Sequence, residues 1–213
     1  MTLKRSNHRA AFASDQAFQT RLAKQGVALN TDTVDGRPAR SGAKARLEKV
    51  RTNNMDGRND GLELNSSNGV MTATFPGALL LSLNVMLRTH DAQKTALKHT
   101  WRKRVEALRL ENPHIFREWL GLVRYPLIIE EVYISPETSL LDVEAVSAGC
   151  KPVIDAFVEA GFLADDSKQY VAQPLAYTER GARGGLVLRF KPSPAPWGLI
   201  EDATMTLARD RLA

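Results

Sequence analysis

Between Val70 and Phe190 the apolar residues switch repeatedly between a two-residue and a three-to-four-residue period, and this alternation restricts the chain to a fold mixing strands with helices. Val70 to Phe75 alternates as a strand should, and Pro76 and Gly77 close it before an irregular passage, LLLSLNVMLRTHD. Lys94 to Leu110 places Leu97, Trp101, Val105 and Leu108 on one helical stripe. After a loop through Asn112 and Pro113, Leu127 to Ile134 is rich in β-branched residues and reads as a buried strand ended by Pro136. Ala145 to Ala160 is helical in pattern, with Gly161 as its C′ residue, and Pro152 is expected to kink it or to open its second half. Tyr170 to Tyr177 and Leu186 to Phe190 are two further strands, joined through TERGARGG as a hairpin. The order strand, helix, strand, helix, strand, strand predicts an α+β fold with helices packed on a mixed β-sheet.

Composition divides the chain into three parts. Residues 1–68 hold twelve basic and seven acidic residues, which accounts for the whole net charge of +5. Stretches such as DTVDGRPARSG and RTNNMDGRNDG offer too little apolar surface to offset the entropy of ordering them, so a largely disordered basic arm is expected. Short helices are expected within it at Asp15 to Gln25, capped by Ser14, and at Lys44 to Arg51. As a tether such an arm would hold nucleic acid, and as a solvated tail it would do nothing specific; composition leaves both open. Residues 69–191 form the expected folded domain. Residues 192–213 begin with a Pro-rich linker, KPSPAPWG, and end in a short helix at Leu199 to Arg209. No apolar run reaches the ~18 residues of a membrane helix. The opening MTLKRSNHRAAF lacks the apolar core of a secretory signal, so a cytoplasmic location is expected. A single cysteine, Cys150, excludes an internal disulfide and a Cys-rich zinc site; on a helix it reads as a packed small residue.

The residues that look like chemistry lie between Asp142 and Asp166, where six acids meet one lysine in an otherwise basic protein. Asp142 and Glu144 fall at the start of the second helix, and Asp165 and Asp166 just after its end. Along a straight helix these ends lie over ~20 Å apart, so a shared site requires the loop after Gly161 to run back along the helix. Brought together, the carboxylates would make a hard-oxygen site suited to Mg²⁺ or Mn²⁺. Lys151, seven residues after Glu144 and four before Asp155, shares their helix face and could neutralise charge on a phosphate. The plainer account makes Lys151 and Asp155 an ordinary i,i+4 pair, and Asp165, Asp166 and Ser167 turn residues.

The stretch DVEAVSAGCKPVIDAFVEAGFLADDSKQYV resembles the core motif of RusA-type Holliday-junction resolvases and their phage-borne relatives: an acid pair, a helix with Lys and Asp four apart, then Ala-Gly, then Asp-Asp. Upstream, SLNVMLRTHDAQKTALKHTWRKR is similar to the Asn-containing loop and basic helix of that family, so the resemblance spans roughly Val70 to Lys191. It implies a RusA-like fold and a homodimeric, Mg²⁺-dependent endonuclease that cuts four-way DNA junctions in recombination and repair, with Mn²⁺ as a substitute ion. Such a protein would be nucleoid-associated and could be virus- or prophage-encoded. By position the resemblance makes Asp142, Glu144, Asp165 and Asp166 the metal ligands and Asp142, Lys151 and Asp166 the catalytic residues. It makes Asn84 and Arg88 DNA contacts. Two departures stand out: Glu144 occupies a position usually filled by Asp, and Lys151 follows the first acid at a longer interval than in other members.

The basic helix points to nucleic acid on its own account. Between Arg88 and Arg104 six basic residues stand against Asp91, and Lys94, Lys98 and Arg102 follow at i, i+4 and i+8 as one stripe able to track phosphates. The alternative is a solvated helix face. Trp101 and Trp119 read as core anchors, and the four histidines have no metal-ligand spacing, although His90 and His99 could touch phosphate or solvent. Two rival functions remain beside the nuclease: a branched-DNA-binding protein of the same fold that has lost cleavage through Glu144, and an interaction protein whose acidic window is structural.

Overall fold

The computed structural model describes residues 41–89, 91–136 and 140–212, without the side chains of residues 41–44, 83, 84 and 88. The expected helix at Asp15 to Gln25 and the contacts assigned to His90 lie outside the described residues.

Five strands form one mixed sheet: β1 (Gly61–Asn65), β2 (Val70–Pro76), β3 (Leu127–Ser135), β4 (Val171–Arg180) and β5 (Gly185–Pro192), in the order β1-β2-β5-β3-β4. Only β3 and β4 run parallel; the other neighbours are antiparallel. Among the described residues six helices accompany them: α1 (Ser41–Asn54), α2 (Leu83–Arg88), α3 (Asp91–Glu111), α4 (Pro113–Leu122), α5 (Val143–Glu159) and α6 (Asp202–Leu212). The fold is α+β, as the alternating periods predict.

The register explains which face is buried. Met71, Phe190 and Ile129 are paired across β2, β5 and β3, as are Ala73, Leu188 and Glu131, and then Phe75, Leu186 and Tyr133. All nine are buried, so these rows form the floor of the core. Trp101, Val105 and Leu108 of α3 and Val146, Val153 and Phe157 of α5 belong to the same core, which also contains Trp119 of α4. Edge-to-face ring pairs lock it: Phe75 meets Trp101 at 5.5 Å and Phe157 at 6.3 Å between centroids. The indole N–H of Trp119 donates to the Phe162 carbonyl at 2.7 Å.

Three expectations change. The folded unit begins near Ala43, not at residue 69. Leu47 and Val50 of α1 and Leu62 of β1 are buried in the core, and the Asn54 side chain donates to the Leu79 carbonyl and accepts from the Leu79 amide, both at 2.9 Å. Polar composition hid this segment because α1 buries only a narrow edge. Second, the passage after Asn112 is a helix rather than a loop, with Pro113 at its first turn, where a missing N–H costs nothing. Third, β4 and β5 do not form a hairpin: β3 lies between them, and the TERGARGG connection crosses over its end. The glycines serve that crossing. A Cβ on Gly181 would overlap Ile134, and one on Gly184 would overlap Pro136. Helix α5 runs unbroken through Pro152, and Gly161 takes φ 83° just beyond its end, as a C′ glycine should.

Candidate nucleic-acid and metal site

The site is built on α5, a helix the chain has good reason to form. Asp142 is its N-cap, with extended φ/ψ, and its Oδ1 accepts from the Ala145 amide at 2.6 Å. Glu144 lies exposed in the first turn, where the helix dipole favours a negative charge. Gly149 lets the helix approach the Leu79–Leu81 segment closely, since a Cβ there would stand 3.2 Å from Leu80 Cβ.

Midway along α5, Lys151 is the hub of a charge network. Its Nζ lies 2.9 Å from Asp155 Oδ1, the i,i+4 pair that spacing allows, and also contacts the Asp166 carboxylate. The loop after Gly161 therefore does run back along the helix. Asp155 also accepts from Lys98 Nζ of α3 at 2.8 Å, and Arg102 lies 3.4 Å from Glu159. Partial burial of Asp155 works to raise its pKa, but the hydrogen bonds and positive charge of Lys151 and Lys98 outweigh it and hold the carboxyl below its ordinary value. Lys94 pairs within its own helix with Asp91 at 3.3 Å. Each member of the expected phosphate-tracking stripe thus already has a carboxylate beside it, and two of the three tie α3 to α5. Among the residues assigned to DNA, Asn84 and Arg88 belong to α2, and their side chains lie outside the described residues.

The acids do not all meet. Asp166 stands beside Lys151, seven residues and about 10 Å of helix rise from Glu144. Asp165 Oδ1 accepts from the Asp166 amide at 2.8 Å, as a turn residue would. Among the described residues no group of three or more His, Cys, Asp or Glu side chains is arranged to hold a metal ion. The donor chemistry suits Mg²⁺, yet the placement divides the four carboxylates into a pair at the helix start and a pair near its middle. In this arrangement they do not fit a single shared ion.

Two buried carboxylates escaped sequence reasoning. Glu131 is 2% exposed in an apolar row of the sheet; Oε2 has no hydrogen-bond partner, and the carboxylate accepts from the Ser147 hydroxyl of α5. Desolvation pushes its pKa up to about 7, against the opposing effect of Ser147. Asp60 is the bidentate partner of buried Arg104, at 2.5 Å to both Nε and Nη2, and burial raises its pKa in spite of the guanidinium. Arg104 in turn lies 5.3 Å from the ring centroids of both Phe75 and Trp101. Cys150 is fully buried and its thiol pKa is raised, first by desolvation and then by Glu131, so it packs rather than reacts.

No helix among the described residues is long and apolar enough to cross a membrane. No protein-family model matches the chain, and no curated protein matches it.

Proposed function

We propose that this chain is a structure-specific endodeoxyribonuclease that resolves four-way DNA junctions during recombination and repair, with Mg²⁺ as cofactor and Mn²⁺ as a substitute. The observation that carries the reading is the return of Asp166 to Lys151: it gathers a cation and an acid, distant in sequence, on the face of α5 that also bears Glu144. The resemblance to RusA-type resolvases supplies the reaction. The resemblance implies Asp142, Glu144, Asp165 and Asp166 as ligands, which in the present arrangement would be shared between two ions, or would have to move together to hold one. Lys151, which is 58% exposed, is the group available to stabilise negative charge on a scissile phosphate. Lys94, Lys98 and Arg102, with Asn84 and Arg88, are the proposed DNA contacts. Homodimer formation follows from the substrate, since a junction of two-fold character needs two coordinated cuts. A DNA-processing role places the protein in the cytoplasm, with the nucleoid.

The division of the carboxylates into two pairs favours a second reading: a branched-DNA-binding protein of this fold impaired in cleavage, in which Lys151 is a structural clamp. Junction binding and cleavage by wild type, Asp142→Asn and Asp166→Asn separate the two. The nuclease reading expects both variants to bind normally and to lose at least about a hundredfold in cleavage rate, as expected when a charge that stabilises the transition state is removed. A wild type that binds junctions tightly without nicking them in Mg²⁺ or Mn²⁺ establishes the second reading. Undiminished cleavage by both variants removes the site.

A further inference from the structure

Lysine carries its charge on a long, flexible stem, so an ammonium that acts at one point needs a partner to hold it there. In α5 the spacing supplies one. Asp155 stands one turn beyond Lys151, and its Oδ1 lies 2.9 Å from the Lys151 Nζ, while its Oδ2 accepts from Lys98 Nζ of α3 at 2.8 Å. The two oxygens of one carboxylate thus serve two cations from two helices. Asp155 is also the least exposed member of the group: its side chain is 20% exposed, against 58% for Lys151 and 55% for Lys98. Asp166, the second acid on Lys151, is placed by the loop after Gly161. Among the described residues these four side chains have no other ion-pair partner.

We propose that Asp155 is a positioning residue: through its two oxygens it holds the Lys151 ammonium in place on α5 and ties that point to the basic helix α3. The inference rests on the nuclease reading above, in which Lys151 stabilises charge on the scissile phosphate, and it gives a part to a residue which that reading leaves without one. Asp155 suits the part better than Asp166 does. It is carried by the same helix as Lys151, whereas Asp166 belongs to a loop and is itself among the ligands that the resemblance implies. An ammonium already held in place stabilises developing charge without first being reoriented, and a misplacement of about 1 Å can cost roughly a hundredfold in rate. The neighbouring bridge from Arg102 to Glu159, at 3.4 Å, joins the same two helices without involving Lys151, so it separates positioning of the ammonium from attachment of the helices.

The test is single-turnover cleavage of a synthetic four-way junction by the full chain, with junction affinity measured in EDTA and thermal unfolding used to confirm that each variant is folded. Asp155→Asn keeps the size and removes the charge; it should bind the junction as wild type does, while its rate at saturating protein falls about ten- to a hundredfold. Asp155→Glu, which returns the charge, should recover part of that rate. Glu159→Gln, which breaks only the Arg102 bridge, should leave the rate unchanged. A double-mutant cycle decides whether the effect passes through the ammonium: in a Lys151→Gln background, Asp155→Asn should cause no further loss. If Asp155→Asn does not fold, Asp155→Ser enters the same cycle with the same expectation. A wild-type rate in the folded Asp155 variant, or losses that multiply in the double variant, overturns the proposal and leaves the function standing. Wild type that binds the junction without nicking it overturns both.

Discussion

At the residue scale, the most informative side chain is one whose polarity disagrees with its row. Glu131 occupies a sheet position whose neighbours are Leu188 and Ala73, and its carboxyl is held protonated up to a pH of about 7. A carboxyl raised in the folded state stabilises most below its unfolded pKa, near 4.5, and that contribution is lost as pH rises through the folded value. The loss approaches roughly 3 kcal/mol once both states are ionised. Glu131→Gln keeps the shape without the charge. Denaturant midpoints should therefore show the variant gaining on wild type between pH 5 and pH 8, and a difference constant with pH would contradict the assignment. The Asp60–Arg104 pair gives the opposite lesson. Removing one partner strands a charge in the core, so Asp60→Ala should cost about 3–5 kcal/mol in denaturant unfolding; a loss under ~1 kcal/mol would show the pair to be dispensable. Neither residue was identified from the sequence. The parity of LIIEEVYI requires that one of Glu130 and Glu131 face inward, so the pattern held a signal for the buried acid. Nothing local to Asp60 reveals that Arg104, 44 residues on, is its partner.

At the scale of elements, the periodic segments were legible and the aperiodic ones were not. The four long strands and helices α3, α5 and α6 were each foreseen within a few residues, because a core face imposes its period on them. Helix α1 was foreseen at Lys44 to Arg51, but as part of an arm rather than of the core, whereas strand β1 and helices α2 and α4 were missed, since their apolar residues are too few or too mixed to show a period. The glycine-rich connection was read correctly as a turn but with the wrong partner, because strand order is a long-range property. That connection yields a paired prediction. Gly184→Ala puts a methyl into Pro136 at the end of β3 and should destabilise by a kcal/mol or more. Gly121→Ala, in helix α4 with nothing within 4 Å of the added methyl, should be neutral or stabilising by up to about 1 kcal/mol. Thermal melts of the two variants shifting alike would contradict this account of the crossing.

At the scale of the whole molecule, the change of boundary matters most. The sequence resemblance begins at Val70, but the core includes Leu47, Val50 and Leu62, and β1 covers the edge of β2. A fragment of residues 41–213 is expected to unfold cooperatively, with a midpoint near that of the full chain. A fragment of residues 69–213 is expected to aggregate or lose its cooperative transition, and a stable folded 69–213 fragment would return α1 and β1 to the status of an arm. The candidate site was legible as a set of residue types, while its division into two carboxylate pairs was not, because one loop sets where Asp165 and Asp166 lie. The measurement that bears most directly on function uses the wild-type chain on a four-way junction and on matched duplex, with Mg²⁺, with Mn²⁺ and with EDTA. Paired, symmetric nicks on the junction alone, dependent on metal, are the predicted result. A protein that neither binds nor nicks the junction in preference to the duplex would contradict the account.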